Sequence, residues 1–329
     1  MADTQTTPSA GTASTVGPRL LVLDTASLYF RAFFGVPDRF HAQDGTSVNA
    51  IRGMLDFVSR LVDEYRPQQL VCAWDDNWRP QWRVDLVASY KAHRVAETTP
   101  EGEPDLEEVP EGLQVQVPVI REFLDAFGIA VVGHPDMEAD DVIGTLAATA
   151  SGPVDVVTGD RDLFQLVDDE AAVRVLYTAR GVSKHERVDG AWVRNKYAVE
   201  PEQYADFATL RGDTSDGLPG VAGVGEKTAA QLLAQFGSLE QILAAAQDPT
   251  SGLKPGPRFK LLAAEDYIRD AARVVAVRRD LDLDLQAAEL PATPADPDRV
   301  LELATRWSVE SSVTRLITTM QKNAEGSTI

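Results

Sequence analysis

Nine carboxylates stand where the extended runs of this chain end or its helices begin: Asp24, Asp75, Glu138, Asp140, Asp141, Asp160, Asp162, Asp213 and Asp216. The apolar runs "RLLVLD", "QLVCAWD" and "VDVVTGD" each close on an aspartate. Asp162 follows Asp160 by two positions, and Glu138 precedes Asp140 by two, so in extended backbone each pair points one way. Asp213 and Asp216, three apart in "RGDTSDGLP", share a face if that turn is helical. Any one pair alone reads more simply as a cap, a turn or a solvated face, and the acids of "HPDMEADDVIGTLA" suit a helix first turn, where the macrodipole favours negative charge. Gathered at one rim, they pose a different problem. Two unit charges about 4 Å apart repel by roughly 4 kcal/mol at an effective dielectric of about 20. Such a cluster must either protonate or hold cations. Oxygen-only ligands select hard ions such as Mg²⁺ or Mn²⁺, and two such ions can activate water and stabilise the leaving oxygen in phosphodiester cleavage.

The elements that would gather them are legible from hydrophobic pattern. Short apolar runs recur at 19–24, 69–75, 129–133, 154–160 and 173–177, with helix-period stretches at 48–65, 114–127 and 139–150 among the first four. Strands apolar throughout that alternate with helices indicate a parallel sheet covered on both faces, whose strand ends form the ligand crevice. From about residue 200 the β-like runs stop, and helical segments follow at 201–211, 226–236, 238–246 and 265–277. The fold class is therefore α/β with a helical second half.

Composition narrows the remaining chemistry. The chain has 329 residues, 44% of them hydrophobic, and a formal net charge of −20. That total argues against a polyanionic partner, but its distribution matters more. Residues 95–112 hold seven acids and no base in a Pro- and Gly-rich stretch that reads as a mobile loop. Immediately before it, Arg79, Arg83, Lys91 and Arg94 interleave with Trp82 and Tyr90. The first residues form a Ser-, Thr- and Ala-rich tail without the basic and apolar regions of a signal peptide, and no run approaches a membrane span. The single cysteine, Cys72, excludes disulfides and thiolate cages and suits a cytoplasmic location. Four histidines, none at metal-ligand spacing, make a zinc site improbable, and no G-x-S-x-G elbow occurs. "GVAGVGEKT" is a near miss for a nucleotide P-loop, with Glu226 where the lysine belongs. It reads better as a glycine-rich hairpin feeding a helix, whose N-terminal amides suit a phosphate.

In order and spacing, "LLVLDTASLYFRAFF", "WRVDLVASYKAHR", "MEADDVIGTLA", "VVTGDRDLFQLV" and "LRGDTSDGLPGVAGVGEKTAAQLLAQFGSLEQIL" resemble the bacterial 5′ nuclease family. That family comprises stand-alone 5′-3′ exonucleases, flap endonucleases and the 5′ nuclease domain of DNA polymerase I, and the similarity spans residues 19–280. The resemblance implies a PIN-like parallel-sheet nuclease core with a flexible helical arch and a C-terminal helix-three-turn-helix region. On this chain it implies a core at 19–200 with its arch at about 78–118 and the DNA-binding helices at 201–290; composition reads as a disordered tail at 1–18, and a C-terminal segment at 291–329 is expected to pack on the core and end in disorder. It implies a first metal near Asp24, Asp75, Glu138 and Asp140, and a second near Asp140, Asp160, Asp162 and Asp213, with Asp141 and Asp216 close by. Lys91 and Arg94 match arch residues that contact the scissile phosphate, and with Asp140 they form the expected catalytic set.

Phe30 matches an aromatic that stacks on a terminal base, though it could equally be core. Arg83, Gly223, Gly225, Lys227 and Thr228 complete the expected DNA contacts, with Arg83 as readily structural. The hairpin matches a segment that grips duplex backbone, often with K⁺ on main-chain carbonyls. The expected protein is a monomeric, cytoplasmic, nucleoid-associated enzyme that needs two or more Mg²⁺ or Mn²⁺ ions. It would cut DNA at 5′ flaps, nicks or frayed 5′ ends in repair and Okazaki-fragment processing. A non-catalytic structure-specific DNA-binding protein and a PIN-type ribonuclease are the alternatives. The acidic loop would repel DNA that is not threaded, or be disordered.

Overall fold

The computed structural model describes residues 17–97, 105–283 and 288–326. Of the disordered tail expected at 1–18, residues 1–16 fall outside the described residues, and the disordered end falls outside them at 327–329. Of the mobile loop expected at 95–112 only 98–104 falls outside, its two described ends being hydrogen-bonded to one another and leading into a helix at Glu111. Six strands form one sheet: β1 (Leu20–Asp24), β2 (Gln69–Ala73), β3 (Ala130–Val132), β4 (Val154–Thr158), β5 (Val173–Tyr177) and β6 (Glu186–Val188), in the order β3-β2-β1-β4-β5-β6. All pair in parallel except β6, which runs antiparallel to β5. β6 went unanticipated because three residues, Glu186–Val188, show no periodicity of their own. Strand order reverses between β1 and β4, the switch point where an open parallel sheet leaves a crevice at its carboxyl end.

Fourteen α-helices surround the sheet among the described residues. In the first two thirds lie α1 (Thr25–Gly35), α2 (Asn49–Tyr65), α3 (Gln81–Leu86), α4 (Glu111–Gln114), α5 (Gln116–Phe127), α6 (Ala139–Thr149) and α7 (Gly190–Tyr197). A helical group follows: α8 (Tyr204–Arg211), α9 (Glu226–Phe236), α10 (Leu239–Gln247), α11 (Pro255–Ala263) and α12 (Glu265–Val275). The chain ends in α13 (Pro297–Trp307) and α14 (Glu310–Gly326). β1 shows why two layers of helices form. Leu21 and Leu23 face one way, into a core with Met54 of α2, Phe123 of α5, Leu303 of α13 and Leu316 of α14. Leu20 and Val22 face the other, against Val142 of α6, Phe207 of α8, Leu233 of α9 and Ile268 of α12. Every one of these side chains is at most 4% exposed, and burying an aliphatic side chain of this size contributes about 1.5–3 kcal/mol.

α1 starts abruptly after β1 because the Asp24 carboxylate caps it, accepting the Ser27 N–H at 3.1 Å. Among the described residues between 78 and 110 the arch contains one short α-helix, α3, and a 3₁₀ turn over Ala92–Arg94. Its base is closed by a ladder in which Ala96 N–H donates to Leu106 O and Glu108 N–H to Arg94 O, both at 2.8 Å. The arch also lies on the 213–217 turn, where Lys91 N–H donates to Asp216 O at 2.9 Å and Ser89 Oγ to Gly217 O at 2.7 Å. Gly217 is required there, since its φ is +69° and a Cβ would stand 2.1 Å from Ser89 O. Among the described residues no helix is long and apolar enough to cross a membrane.

Candidate active site

The β1–β4 register sets Leu23 beside Val157, so Thr158 falls level with Asp24 at the rim. Thr158 Oγ1 donates to Asp24 Oδ2 at 2.6 Å and accepts the Asp160 N–H at 2.8 Å, fixing two acids through one hydroxyl. Asp75 lies just beyond β2, where its Oδ1 accepts the Ala139 N–H at 2.7 Å, at the positive end of α6. A cavity of about 270 Å³ opens between these rims and the arch. Seven acids line it, namely Asp24, Asp75, Glu107, Glu138, Asp140, Asp160 and Asp213, together with the bases Lys91, Arg94 and Arg161.

The charges are individually held. Glu138 is 2% exposed and accepts from Lys91 Nζ at 2.5 Å and from Tyr90 Oη at 2.8 and 3.0 Å. Asp216 accepts from an Arg94 guanidinium nitrogen at 2.8 Å, the same nitrogen that reaches Ser215 O at 2.7 Å. Asp213 accepts from Ser215 N–H at 2.8 Å, Arg161 at 3.1 Å and Arg211 at 3.3 Å, and these partners outweigh its burial and hold its carboxyl below the usual range. Asp24, Asp140, Asp160 and Asp162 go the opposite way. Burial, reinforced by Asp75 and Asp160, pushes Asp24 up to about 7. Burial together with the charges of Asp160 and Asp24 raises Asp140 well above its ordinary value, and Asp160 and Asp162 are raised by burial and by neighbouring carboxylates.

Of the nine acids read from the sequence, six line the cavity. Asp162 lies behind it, 8% exposed, with Oδ1 buried and lacking a hydrogen-bond partner. Asp216 stands at the edge, paired to Arg94. Asp141 is not brought to the cavity. It is fully buried and spends its oxygens on Arg83, at 2.8 and 2.9 Å, and on the N–H groups of Glu138 and Arg278. Arg83, read as a DNA contact, is correspondingly 2% exposed and turned inward, also donating to Val274 O at 3.1 Å. Lys91, Arg94 and Phe30 do line the cavity. Gly223, Gly225, Lys227 and Thr228 lie on the hairpin and first turn of α9, away from it.

Arg161, Arg211 and Glu107 were missed. Arg161 was signalled by its place between two acids in "GDRDL", whereas Glu107 looked like any other acid of the 95–112 loop. Beyond Ser27, Phe30 and Gly159, the cavity continues into a cleft of about 1440 Å³ walled by α1, α2 and the polar face of α14, with Arg31, Arg60, Arg180, Arg315 and Lys322 along it.

The donor set is carboxylate oxygen throughout, with Asp24, Asp140, Asp160 and Asp162 raised in pKa and one orphaned buried oxygen on Asp162, so it fits hard divalent cations. Among the described residues no three His, Cys, Asp or Glu side chains lie close enough to chelate an ion as they stand. Uncompensated carboxylates repel, and coordination would require them to rotate inward. The linkage has a definite sign. An acid whose folded pKa exceeds its unfolded value stabilises the fold only at low pH, and this contribution is lost as pH rises from about 4 through about 7, the interval set by Asp24. The melting temperature of chelator-treated protein is expected to fall across that interval, and added Mg²⁺ to raise it near neutrality but hardly at all near the acid end. A melting temperature that climbs with pH in chelator would contradict this assignment of the carboxyl pKa values.

The architecture, a parallel-dominated sheet with an acid-lined crevice at its carboxyl end and a helical domain after it, is that of a PIN-like nuclease. A family model described as the 5′-3′ exonuclease N-terminal resolvase-like domain matches residues 19–198, and one described as the 5′-3′ exonuclease C-terminal SAM fold matches residues 199–298. The chain belongs to the 5′-3′ exonuclease family. It is 57% identical over 300 residues to a 5′-3′ exonuclease of Streptomyces coelicolor, covering 91% of this chain and 99% of that one. A 5′-3′ exonuclease of Mycobacterium tuberculosis is 53% identical over 305 residues, covering 90% and 96%. Among solved structures, T5 5′-exonuclease with zinc bound superposes with a TM-score of 0.59 at 17% identity, covering 93% of this chain and 99% of that one. The catalytic core of Rad2 with DNA gives 0.59 at 19% identity, covering 93% and 94%. At these identities the two structures speak for the fold.

Proposed function

We propose that this protein is a divalent-cation-dependent, structure-specific 5′ nuclease that hydrolyses phosphodiesters in branched or frayed DNA, by 5′-3′ exonucleolytic and flap-endonucleolytic cleavage. The observation that carries the reading is the shared cavity, in which Lys91 and Arg94 face the same space as Asp24, Asp75, Glu138, Asp140 and Asp160. Lys91 and Arg94 each neutralise one carboxylate, Glu138 and Asp216, which leaves the charges of Asp24, Asp75, Asp140 and Asp160 around the cavity for cations to answer. Asp24, Asp75, Glu138 and Asp140 would hold one Mg²⁺ or Mn²⁺ ion, and Asp140, Asp160, Asp162 and Asp213 another, with Asp216 at the edge. Ions bound there supply activation of water and stabilisation of negative charge on the attacking and leaving oxygens.

The remaining residues place the substrate. Lys91, tied to Glu138 at 2.5 Å, and Arg94, tied to Asp216 at 2.8 Å, are preorganised to stabilise charge developing on a phosphate. Phe30, partly buried where cavity and cleft meet, offers a ring for a terminal base. The hairpin before α9, with Gly225, Lys227 and Thr228, would hold duplex backbone, while the basic cleft beyond Phe30 gives a second arm of a branched substrate its path on an otherwise acidic protein. This divides the chain into a chemical core to about residue 200, a duplex-holding region at 201–290, and a C-terminal segment whose α13 and α14 pack on α5 and α2. The reading extends to work in repair and Okazaki-fragment maturation, as a monomer in the cytoplasm at the nucleoid.

The deciding experiment presents 5′-flap DNA, a matched RNA hairpin and plain single strands, each with Mg²⁺ or Mn²⁺ and then with chelator. Cleavage is expected near the flap junction only with metal. Tight flap binding without metal-dependent cleavage would favour a non-catalytic DNA-binding protein, and preferential RNA cleavage would favour a PIN-type ribonuclease.

A further inference from the structure

The arch brings to the cavity wall a carboxylate that belongs to neither proposed ion site. Glu107 is half-buried there, and among the described residues its side chain has no hydrogen bond and no ion-pair partner. Its place is set by the backbone. Ala96 N–H donates to Leu106 O and Glu108 N–H to Arg94 O, both at 2.8 Å, and Val95 pairs with Glu107 between them. Just before this ladder Asp105 is held twice, its carbonyl accepting from Trp78 Nε1 at 2.9 Å and its carboxylate from Arg79. Side chains alternate along extended backbone, so Glu107 turns to the cavity and Glu108 to solvent.

The bases of the cavity wall are already answered. Lys91 is paired with Glu138, Arg94 with Asp216 and Arg161 with Asp213. Glu107 is a surplus negative charge beside them. Burial raises its carboxyl, Arg94 and Lys91 pull it down, and Asp75 and Glu138 push it up, so the charges that act on it are those that would surround a scissile phosphate.

A fixed charge at that place acts unequally on the two ends of a hydrolysis. The water oxygen bonds to phosphorus, the bond from phosphorus to the leaving oxygen breaks, and that oxygen takes up a proton. The substrate diester carries a single negative charge, whereas a terminal phosphomonoester carries about −1.5 to −2 near neutrality. Like charges placed side by side suppress binding, and the more so the larger the charge. We infer that, in the nuclease proposed above, Glu107 is a product-release residue, whose carboxylate weakens the hold of the cavity on the phosphomonoester more than on the diester. Its effect falls on departure, a step that limits turnover in many enzymes, and leaves the chemical step to the residues already assigned.

The test measures cleavage of 5′-flap DNA with Mg²⁺ by the intact protein and by Glu107→Gln, Glu107→Asp and Glu108→Gln. Initial rates are taken with added product that bears the terminal phosphate, or with the same product after dephosphorylation. Glu107→Gln keeps the size of the side chain and should keep the single-turnover rate within about twofold. The phosphorylated product should inhibit it about tenfold more strongly than it inhibits the intact protein, with no change for the dephosphorylated one. Glu107→Asp, which keeps the charge, and Glu108→Gln, which removes one that faces solvent, should both match the intact protein. Equal inhibition of Glu107→Gln and intact protein overturns the inference, and so does a tightening that both products share or that Glu108→Gln reproduces. A single-turnover rate that falls in Glu107→Gln and returns at higher Mg²⁺ would make Glu107 a metal ligand instead. All these outcomes leave the nuclease reading in place; intact protein that cuts no flap would remove that reading and this inference with it.

Discussion

Replacing Asp140 by Asn should lower the rate of flap cleavage by about a thousandfold or more while leaving DNA affinity within a few fold, and should at the same time raise the melting temperature of the metal-free protein. The two effects have one cause. Asp140 stands between Asp24 and Asp160, whose charges together with burial hold its carboxyl well above the ordinary range. It is the residue assigned to both ions, so its loss should exceed the roughly ten- to hundredfold typical of partners in the outer shell of a metal site. The same replacement removes a crowded negative charge, and the fold gains what the site loses. Single-turnover cleavage, anisotropy with chelator and thermal melting separate the effects. Near-normal turnover would refute the shared-ligand role, and a fall in melting temperature without metal would show that Asp140 is not under electrostatic strain.

Much of this site was legible because its acids obey a positional rule. A run such as "RLLVLD" fixes both the strand and the place of its last residue, and five parallel strands with one switch point bring Asp24, Asp75 and Asp160 to a common rim. What was not legible is which acids are answered from elsewhere in the chain. Asp140 and Asp141 are adjacent in sequence and chemically identical, yet one faces the cavity and the other a guanidinium 58 positions away. Helical geometry turns successive side chains by about a quarter of a revolution, which separates them without revealing the partner of either. The same limit hid which element of the core α14 would meet: Ser59 of α2 and Thr319 of α14, bonded at 2.9 Å, are 260 positions apart. Glu107 shows the converse, a residue whose composition argued for solvent and whose fold placed it in the cavity wall.

Arg83→Met should destabilise the protein by about 3–5 kcal/mol, the range expected when one partner of a buried ion pair is removed and the other is left charged. Arg83 joins three parts of the molecule. It rises from α3 at the base of the arch, grips Asp141 of α6 with two nitrogens at 2.8 and 2.9 Å, and donates Nε to Val274 O at 3.1 Å in the last turn of α12. A further approach of 3.4 Å to Glu138 couples it to the acid that Lys91 also holds. With Arg83 gone, Asp141 would remain fully buried with only two backbone N–H groups for its charge. The double variant Arg83→Met with Asp141→Asn removes both charges of the pair and leaves Glu138 to Lys91, and its melting temperature should recover most of the loss, the non-additive signature of a coupled pair. If Arg83 were instead a DNA contact, the single variant would melt normally and bind DNA more weakly. Were Asp141 a metal ligand, the double variant would be stable but dead. Neither residue touches the cavity, so the double variant should keep cleavage within about tenfold of the intact enzyme, the lower end of what outer partners of a metal site contribute. The acid that stood among the ligands by sequence would then be counted with the frame that positions Glu138 and Asp140.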